Sequence, residues 1–343
     1  MPKSLQSERR DALRRFVANA LGRDDFELQP ASADAGFRSY LRAVASADHG
    51  HAQTWIVMDA PPELVECAPF VGIAELLRAG GVNVPAIIAQ DLERGFLLLS
   101  DLGRSTFLEA INSGDSPDPL MDAAIDALVT LQRIPVPDWL PAYDSALLER
   151  EIDLFPDWYL CRELGASLSR SELDDWNDAR ARIVSAALAQ PHVLVHRDFM
   201  PRNLMPPISS ETDPRPGVLD FQDAVSGPIA YDPICLFKDA FISWPSERVD
   251  RWLRTYHERG VNAGLPLPEY SAFRRDADWI GMHRHLKVIG IFARLKHRDV
   301  KPKYLADVSR FFSYLLDVLP AYPELAGLEH LLRRYHPESA QPA

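Results

Sequence analysis

The chain has 343 residues, of which 47% are hydrophobic and 25% are charged, a composition typical of a globular protein. This length allows a substantial core and suggests two domains or two lobes. The formal net charge of −12 argues against non-specific nucleic-acid binding, which needs clustered Lys and Arg.

The cysteines and the N-terminus indicate the compartment. Cys67, Cys161 and Cys235 are odd in number, widely spaced and free of any CxxC pattern, as in a reducing compartment. The N-terminus is charged and amphipathic without a signal-peptide core, and no apolar run approaches the ~20 residues that cross a bilayer. We therefore expect a cytoplasmic protein with no membrane partner.

The first part of the chain predicts a helix followed by an antiparallel β-meander. Apolar residues recur with helical spacing over 7–21. Short alternating segments then predict strands at 26–28, 31–36, 37–44 and 54–58. The turn that contains Gly36, Arg38 and Ser39 lies where a kinase has its phosphate-covering loop. It has one Gly and no GxGxxG, so a plain hairpin is an equal alternative.

A hinge is predicted after the next helix and two strands. The helix is expected at 63–79, after a Pro-Pro start signal, and the strands at 84–89 and 96–99. The second strand runs into the polar linker Ser100, Asp101 and Leu102, which would join an N-lobe, 1–102, to a C-lobe, 103–343. A surface turn after an edge strand is the alternative. Further helices are predicted at 106–112, 119–133, 145–164, 169–190, 231–241, 247–259, 270–294 and 305–319.

The run His-Arg-Asp at 196–198 follows a predicted strand, 193–195, and has an Asn five residues after the Asp. In the kinase pattern HRDxxxxN, the Asp takes the proton of the attacking hydroxyl and the Asn binds Mg²⁺. Those roles would fall to Asp198 and Asn203. A second strand, 217–219, leads into Asp220, the other expected Mg²⁺ ligand. A solvated turn is the alternative for an isolated HRD, but the Asn spacing and the second Asp-Phe favour a kinase.

A second HRD run occupies 297–299. Tyr304 stands where the metal-binding Asn belongs, and no strand ending in Asp-Phe follows. We therefore interpret this run as a coincidence at the charged end of a helix.

Several segments together resemble the aminoglycoside phosphotransferase and choline kinase superfamily. Within it, the chain is most similar to the anomeric N-acetylmuramate/N-acetylglucosamine kinases of bacterial cell-wall recycling. The segments are 37–42, 57–62, 97–103, 154–159, 196–203, 220–224 and 285–294. The resemblance implies an α+β, bilobal, protein-kinase-like fold with a small β-rich N-lobe and a larger helical C-lobe. It also implies an ATP- and Mg²⁺-dependent transfer to the anomeric hydroxyl of an amino sugar.

The resemblance also suggests where nucleotide and sugar bind. Nucleotide contacts are expected from Gly36, Arg38, Ser39, Arg42, Ser100, Asp101 and Leu102. Sugar contacts are expected from Glu151, Asp157, Trp158, Asp223 and Tyr231. An amphipathic helix that buries Phe155 and Trp158 is the alternative for the first group of sugar residues. Asp223 and Tyr231 either touch the substrate or brace the metal loop.

The chain departs from the kinase pattern in one respect. Kinases use a strand Lys for the α- and β-phosphates, but no Lys occurs between Lys3 and Lys238. Either Arg42 or Arg38 substitutes, or Mg²⁺ and the backbone hold the phosphates alone. The missing Lys leaves a non-catalytic nucleotide- or sugar-binding protein as one alternative. A kinase of another small hydroxyl compound, such as an aminoglycoside, is the other.

Overall fold

The computed structural model describes residues 3–32, 38–46, 53–207 and 213–337. The chain forms two compact units. The first comprises Met1–Asp115 and Arg202–Asp223, and the second comprises Ser116–Pro201 and Ala224–Ala343. The lobe boundary at 102/103 stays a prediction. No helix of the described part is long and apolar enough to cross a membrane.

The first unit is built on a five-stranded antiparallel sheet with the strand order β1-β2-β3-β5-β4. Its elements are α1 (Lys3–Leu21), β1 (Phe26–Ser32), β2 (Ser39–Ala45), β3 (Gln53–Asp59), α2 (Ala68–Ala79), β4 (Ile87–Asp91), β5 (Phe96–Ser100) and α3 (Phe107–Asn112). Leu13 and Val17, one turn apart on α1, pack with Phe26, Val57 and Phe96 in one apolar cluster. The predicted helix and antiparallel meander are confirmed.

Two boundaries in this unit were wrong. The helix predicted from residue 63 begins at Ala68, because the Pro-Pro pair forms a turn in which Leu64 and Val65 donate to the Pro61 carbonyl. The strand predicted from residue 84 begins at Ile87. Of the strand predicted at 31–36, only the first two residues are seen in β1, and 33–37 lie outside the described residues.

The second unit is mostly helical. Its elements are α4 (Pro117–Gln132), α5 (Ser145–Ile152), a π-helix (Phe155–Glu163), α6 (Arg170–Leu188), β6 (His192–Val195), β9 (Val225–Pro228), α7 (Tyr231–Phe237), α8 (Ser246–Asn262), α9 (Tyr270–His297), a 3₁₀-helix (Pro302–Asp307), α10 (Val308–Val318), two 3₁₀ turns (Leu319–Ala321, Pro323–Leu325) and α11 (Ala326–Arg334). The strands β6 and β9 pair antiparallel. Two short strands of the first unit, β7 (Leu204–Met205) and β8 (Gly217–Val218), also pair antiparallel. A 3₁₀ turn, Pro201–Asn203, precedes β7.

The helix predicted at 145–164 is divided. Pro156 has no N–H to donate to the carbonyl four residues earlier, so the α-helical ladder ends at Ile152 and a π-helix follows. The helix predicted to reach residue 241 ends at Phe237. The 305–319 helix begins instead as a 3₁₀-helix. The second HRD does lie at a helix end, since α9 stops at His297. The strand β9 and the helix α11 were not predicted.

Candidate active site

The loop of the first HRD is held by one buried carboxylate. The backbone N–H groups of His196 and Arg197 donate to the two oxygens of Asp232, at 2.7 and 2.9 Å. Arg197 has a φ of 75°, a left-handed conformation that side chains other than Gly rarely adopt. The strained turn leaves the side chain of Asp198 exposed while the residues beside it are fixed. Asp232 therefore orients the loop.

The charge of Asp232 is disfavoured by its surroundings. Burial raises its pKa to about 7, and the negative charge of Asp198 acts in the same direction. The hydrogen bonds from His196 and Arg197 oppose this shift. The conformation of the HRD loop is thus linked to a buried carboxyl group whose pKa is about 7.

A buried cluster supports the same loop from the other side. Glu151 accepts hydrogen bonds from Arg197 and Tyr143 and forms an ion pair with Lys287 at 2.8 Å. Lys287 Nζ also donates to the Tyr231 hydroxyl at 3.1 Å. We call these five residues the Glu151 network. Burial opposes the ionisation of Glu151, but Lys287 and Arg197 outweigh it and hold its pKa at about 2.

The network includes two residues for which sugar contacts were predicted. Glu151 is 7% exposed and Tyr231 is 1% exposed. The burial of Tyr231 favours the alternative that it braces the loop. Asp157 is exposed on the π-helix, and Trp158 is half-buried at the edge of the core. The Arg162 guanidinium lies 5.8 Å from the Trp158 ring centroid, while Phe155 is fully buried, as the alternative required.

Four of the seven predicted nucleotide residues, Arg42, Ser100, Asp101 and Leu102, line one cavity of about 400 Å³, whereas Arg38 and Ser39 are not among its lining residues. Its lining combines side chains of the sheet with the predicted hinge and metal residues: Tyr40, Arg42, Ile56, Leu99, Ser100, Asp101, Leu102, Asn203, Met205, Asp220 and Phe221. The Ser100 hydroxyl accepts from the Ala86 N–H at 2.8 Å, and Ser100 N donates to Ala86 O at 2.9 Å. These two bonds fix the start of the hinge.

Arg42 is held at the hinge. It is 7% exposed and binds both carboxylate oxygens of Asp101, at 2.6 and 3.1 Å, and the Gly103 carbonyl at 2.6 Å. Burial opposes the ionisation of Asp101, but hydrogen bonds from Arg42, Thr54 and Gly103 lower its pKa. Because these contacts occupy Nε and one terminal nitrogen of Arg42, its position favours a hinge contact over a phosphate contact.

The other arginine considered as a substitute for the kinase Lys is Arg38, at the start of β2. Its Nε is shielded from solvent and has no hydrogen-bond partner in the described structure. Ser39 beside it is exposed, and Gly36 lies outside the described residues. Arg38 therefore keeps donors that Arg42 has already used.

The predicted metal ligands lie together. Asn203 Nδ2 is 3.4 Å from Asp220 Oδ2, and the Leu219 N–H donates to the Asn203 carbonyl at 2.9 Å. Asp220 has a φ of 63°, and Gln222 donates to its other oxygen at 2.9 Å. Asp223 is exposed and receives a bond from Gln222 at 3.3 Å.

This donor set suits Mg²⁺, which takes few protein oxygens and completes its octahedron with water and phosphate. Within the described ranges, no group of three or more His, Cys, Asp and Glu could hold a metal ion. An Asn–Asp pair is below that number, but it is the usual kinase complement.

Comparison with known proteins places these features in one family. Residues 27–275 match the phosphotransferase enzyme family. The chain is 53% identical to the N-acetylmuramate/N-acetylglucosamine kinase of Pseudomonas putida, over 89% of this chain and 87% of that protein. It is 43% identical to the protein of the same name from Neisseria meningitidis, over 95% of each chain.

Solved structures confirm the predicted fold class. Plasmodium vivax ethanolamine kinase superposes with a TM-score of 0.61 at 12% identity, covering 92% of this chain and 85% of that one. The GDP complex of aminoglycoside 2′-phosphotransferase-IIIa superposes with a TM-score of 0.59 at 14% identity, covering 88% and 97%.

Proposed function

Because the chain belongs to the phosphotransferase enzyme family, we propose that it transfers the γ-phosphoryl group of ATP to the anomeric hydroxyl of N-acetylmuramate and N-acetylglucosamine. The observation that carries the proposal is the 53% identity to a kinase of that name over most of both chains. The product would be a sugar 1-phosphate for cell-wall recycling in the cytoplasm. A small amino sugar is then the partner, with no nucleic acid or membrane involved.

Asp198 would act as the general base. An anomeric hydroxyl is more acidic than the other sugar hydroxyls, because the ring oxygen withdraws electron density from the same carbon. A carboxylate can therefore take its proton as the bond to phosphorus forms. The bonds from His196 and Arg197 to Asp232 hold the loop in position, and phosphoryl transfer depends mostly on such positioning.

Asn203 Oδ1 and the Asp220 carboxylate would hold Mg²⁺. When bound, the ion neutralises charge on the nucleotide phosphates. Arg38 would contribute a cation to the phosphates, and Ser39 and Gly36 would offer backbone N–H groups. The hinge from Ser100 to Leu102, with Arg42 beside it, would contact the nucleotide at the other end of the cavity.

Asp157, Trp158 and Asp223 would contact the sugar, because all three side chains are accessible. Recognition of the acetamido group would orient the ring, since a site that pairs a buried amide discriminates strongly against sugars that lack it. Plain glucose should then be a poor substrate.

The test is ADP release with a panel of sugars and aminoglycosides, followed by NMR of the product. N-acetylglucosamine and its 6-deoxy analogue should react, and the methyl glycoside should not. Phosphorus–proton coupling should place the phosphate on the anomeric carbon. A 6-phosphate, or brisk turnover of the methyl glycoside, would contradict the anomeric assignment. Preference for an aminoglycoside, or binding of ATP without turnover of any acceptor, would replace the proposal with one of the two alternatives.

A further inference from the structure

Arg294, near the end of α9, has no side-chain partner among the described residues. Its side chain is half-buried, and its Nε–H is shielded from solvent and donates to no described group. No ion pair to it is found among the described residues either. The shielded Nε–H has lost hydration that no described group replaces, and buried donors are normally hydrogen-bonded. A partner that is not part of the protein would explain Arg294.

The position of Arg294 follows from how α9 lies along α5 and the π-helix. The two segments, α9 on one side and 148–163 on the other, run in the same direction, so the residue numbers of their contacts increase together. The contacts are His283 with Leu148, Lys287 with Glu151, Gly290 with Leu154, and His297 with Glu163. The approach is close at Gly290, where a Cβ would lie 2.2 Å from the Leu154 carbonyl carbon. Arg294 comes seven residues after Lys287 and therefore lies on the same face of α9.

The residues along the contact between these two segments become more exposed to solvent towards the C-terminal end of α9. On α9, His283 is 0% and Lys287 8% exposed, Arg294 is half-buried and Arg298 is exposed. On the facing segment, exposure increases in the same direction: Glu151 is buried, Trp158 is half-buried and Arg162 is exposed. The buried end is the Glu151 network, which binds the residue before Asp198. Arg294 thus lies on a surface that leads outward from the proposed base.

The outer end of this surface carries both signs of charge, with Arg162, Arg294 and Arg298 near Asp157, Glu163 and Asp299. Arg162 covers the Trp158 ring, and Arg298 is paired with Asp299 at 2.8 Å. Among the described residues, Arg294 alone of these three has neither an ion pair nor a ring contact. Burial and the nearby charge of Arg298 lower its pKa more than the charges of Asp299 and Glu151 raise it, so an anion placed beside it would be stabilised.

We propose that Arg294 binds the carboxylate of an acidic amino sugar. N-acetylmuramate has a lactyl carboxylate that N-acetylglucosamine lacks, and the planar guanidinium matches a carboxylate with two parallel hydrogen bonds. Arg294 is then the residue that favours the acidic sugar. The inference rests on the proposed function, because it assigns a substrate group within that function.

The test compares the two sugars in Arg294→Gln, which removes the charge at similar size. KM for N-acetylmuramate should rise ~10- to 100-fold, as expected for loss of a charge-assisted bidentate contact. KM for N-acetylglucosamine should stay within about twofold, and kcat for both sugars should be retained, because the carboxylate is remote from the reacting oxygen. Arg294→Lys should lie between, since it keeps the charge without the fork.

Arg298→Gln is the matched control, one turn further along α9 and already paired with Asp299. It should leave both KM values unchanged. Equal increases for the two sugars in Arg294→Gln, or no increase for either, would overturn the carboxylate site. Calorimetric binding of each sugar measures the same contrast without turnover. Absence of turnover in the wild type would therefore count against the proposed function, whereas equal loss of affinity for both sugars would count against Arg294.

Discussion

The ammonium group of Lys287 lies 2.8 Å from the carboxylate of Glu151, and each side chain is 10% exposed. Burial opposes the charge on Lys287, yet Tyr231 and Glu151 raise its pKa. The pair joins α9 to α5, and through Arg197 it reaches the HRD loop. The position of the loop thus depends on an ion pair between two helices far apart in the sequence.

Lys287→Met should destabilise the protein by about 3–5 kcal/mol, because it leaves the Glu151 charge buried with only part of its compensation. Urea unfolding would measure the loss. Lys296→Met is the matched control. Lys296 lies on α9, like Lys287, and pairs with Glu163 of the π-helix, but its side chain is 36% exposed. That change should lower stability by ~1 kcal/mol or less. Equal losses of unfolding free energy in the two variants would show that the buried Glu151–Lys287 pair contributes no more to stability than the exposed pair.

The antiparallel meander of the first unit could be predicted because alternating apolar residues are a local signal. The kinase-like fold class came from the resemblance of several segments, among them the HRD run that follows β6. The predicted helix boundaries were wrong where a proline can either begin a helix or interrupt the chain. The Pro-Pro pair at 61–62 makes a turn rather than a helix start, and Pro156 divides a helix that periodicity alone joins.

The Glu151 network could not be predicted, because its members come from four separate segments. A buried arginine such as Arg197 requires an acid, but the chain has 49 Asp and Glu residues and nothing local selects one of them. Arg42 shows the same limit. It was considered as a phosphate ligand because of its place on β2, and only the three-dimensional structure shows that Asp101 occupies its guanidinium.

Asp198→Asn should lower kcat by ~10²–10⁴, the usual contribution of a general base, and leave KM for the sugar nearly unchanged. Steady-state kinetics would measure both values. The second HRD supplies a control, because Asp299→Asn removes a half-buried carboxylate that also follows His-Arg in the sequence. That variant should be fully active. Near-normal turnover of Asp198→Asn would remove Asp198 from the mechanism.

Asp220→Ala should weaken Mg·ATP binding strongly and sugar binding little, because Asp220 is proposed to bind the metal. Calorimetry with Mg·ATP and with the sugar would separate the two effects. Asp178→Ala is a suitable control, since Asp178 is exposed and, in the part of the chain that the structure describes, pairs only with Arg182 one turn away. Unchanged affinity for Mg·ATP in Asp220→Ala would make Asp220 a structural residue.

The stability of the protein should depend on pH through Asp232. Its pKa is about 7 in the folded protein, against an ordinary value of 3.8. Between these values the folded state binds a proton that the unfolded state has lost. The stability that this group contributes is therefore greatest at and below about pH 4, falls as the pH rises to about 7 and is constant above that.

Asp232→Asn should remove this dependence. The variant is expected to be less stable by ~1–3 kcal/mol, because one carboxylate oxygen that accepts a backbone N–H is lost. Its unfolding free energy, measured with urea at a series of pH values, should fall less steeply between pH 4 and 7 than that of the wild type. In Asp198→Asn the wild-type dependence should remain but move to lower pH, because the Asp198 charge raises the pKa of Asp232. Parallel curves for the wild type and Asp232→Asn would show that Asp232 stays ionised throughout, stabilised by the N–H groups of His196 and Arg197 that donate to it.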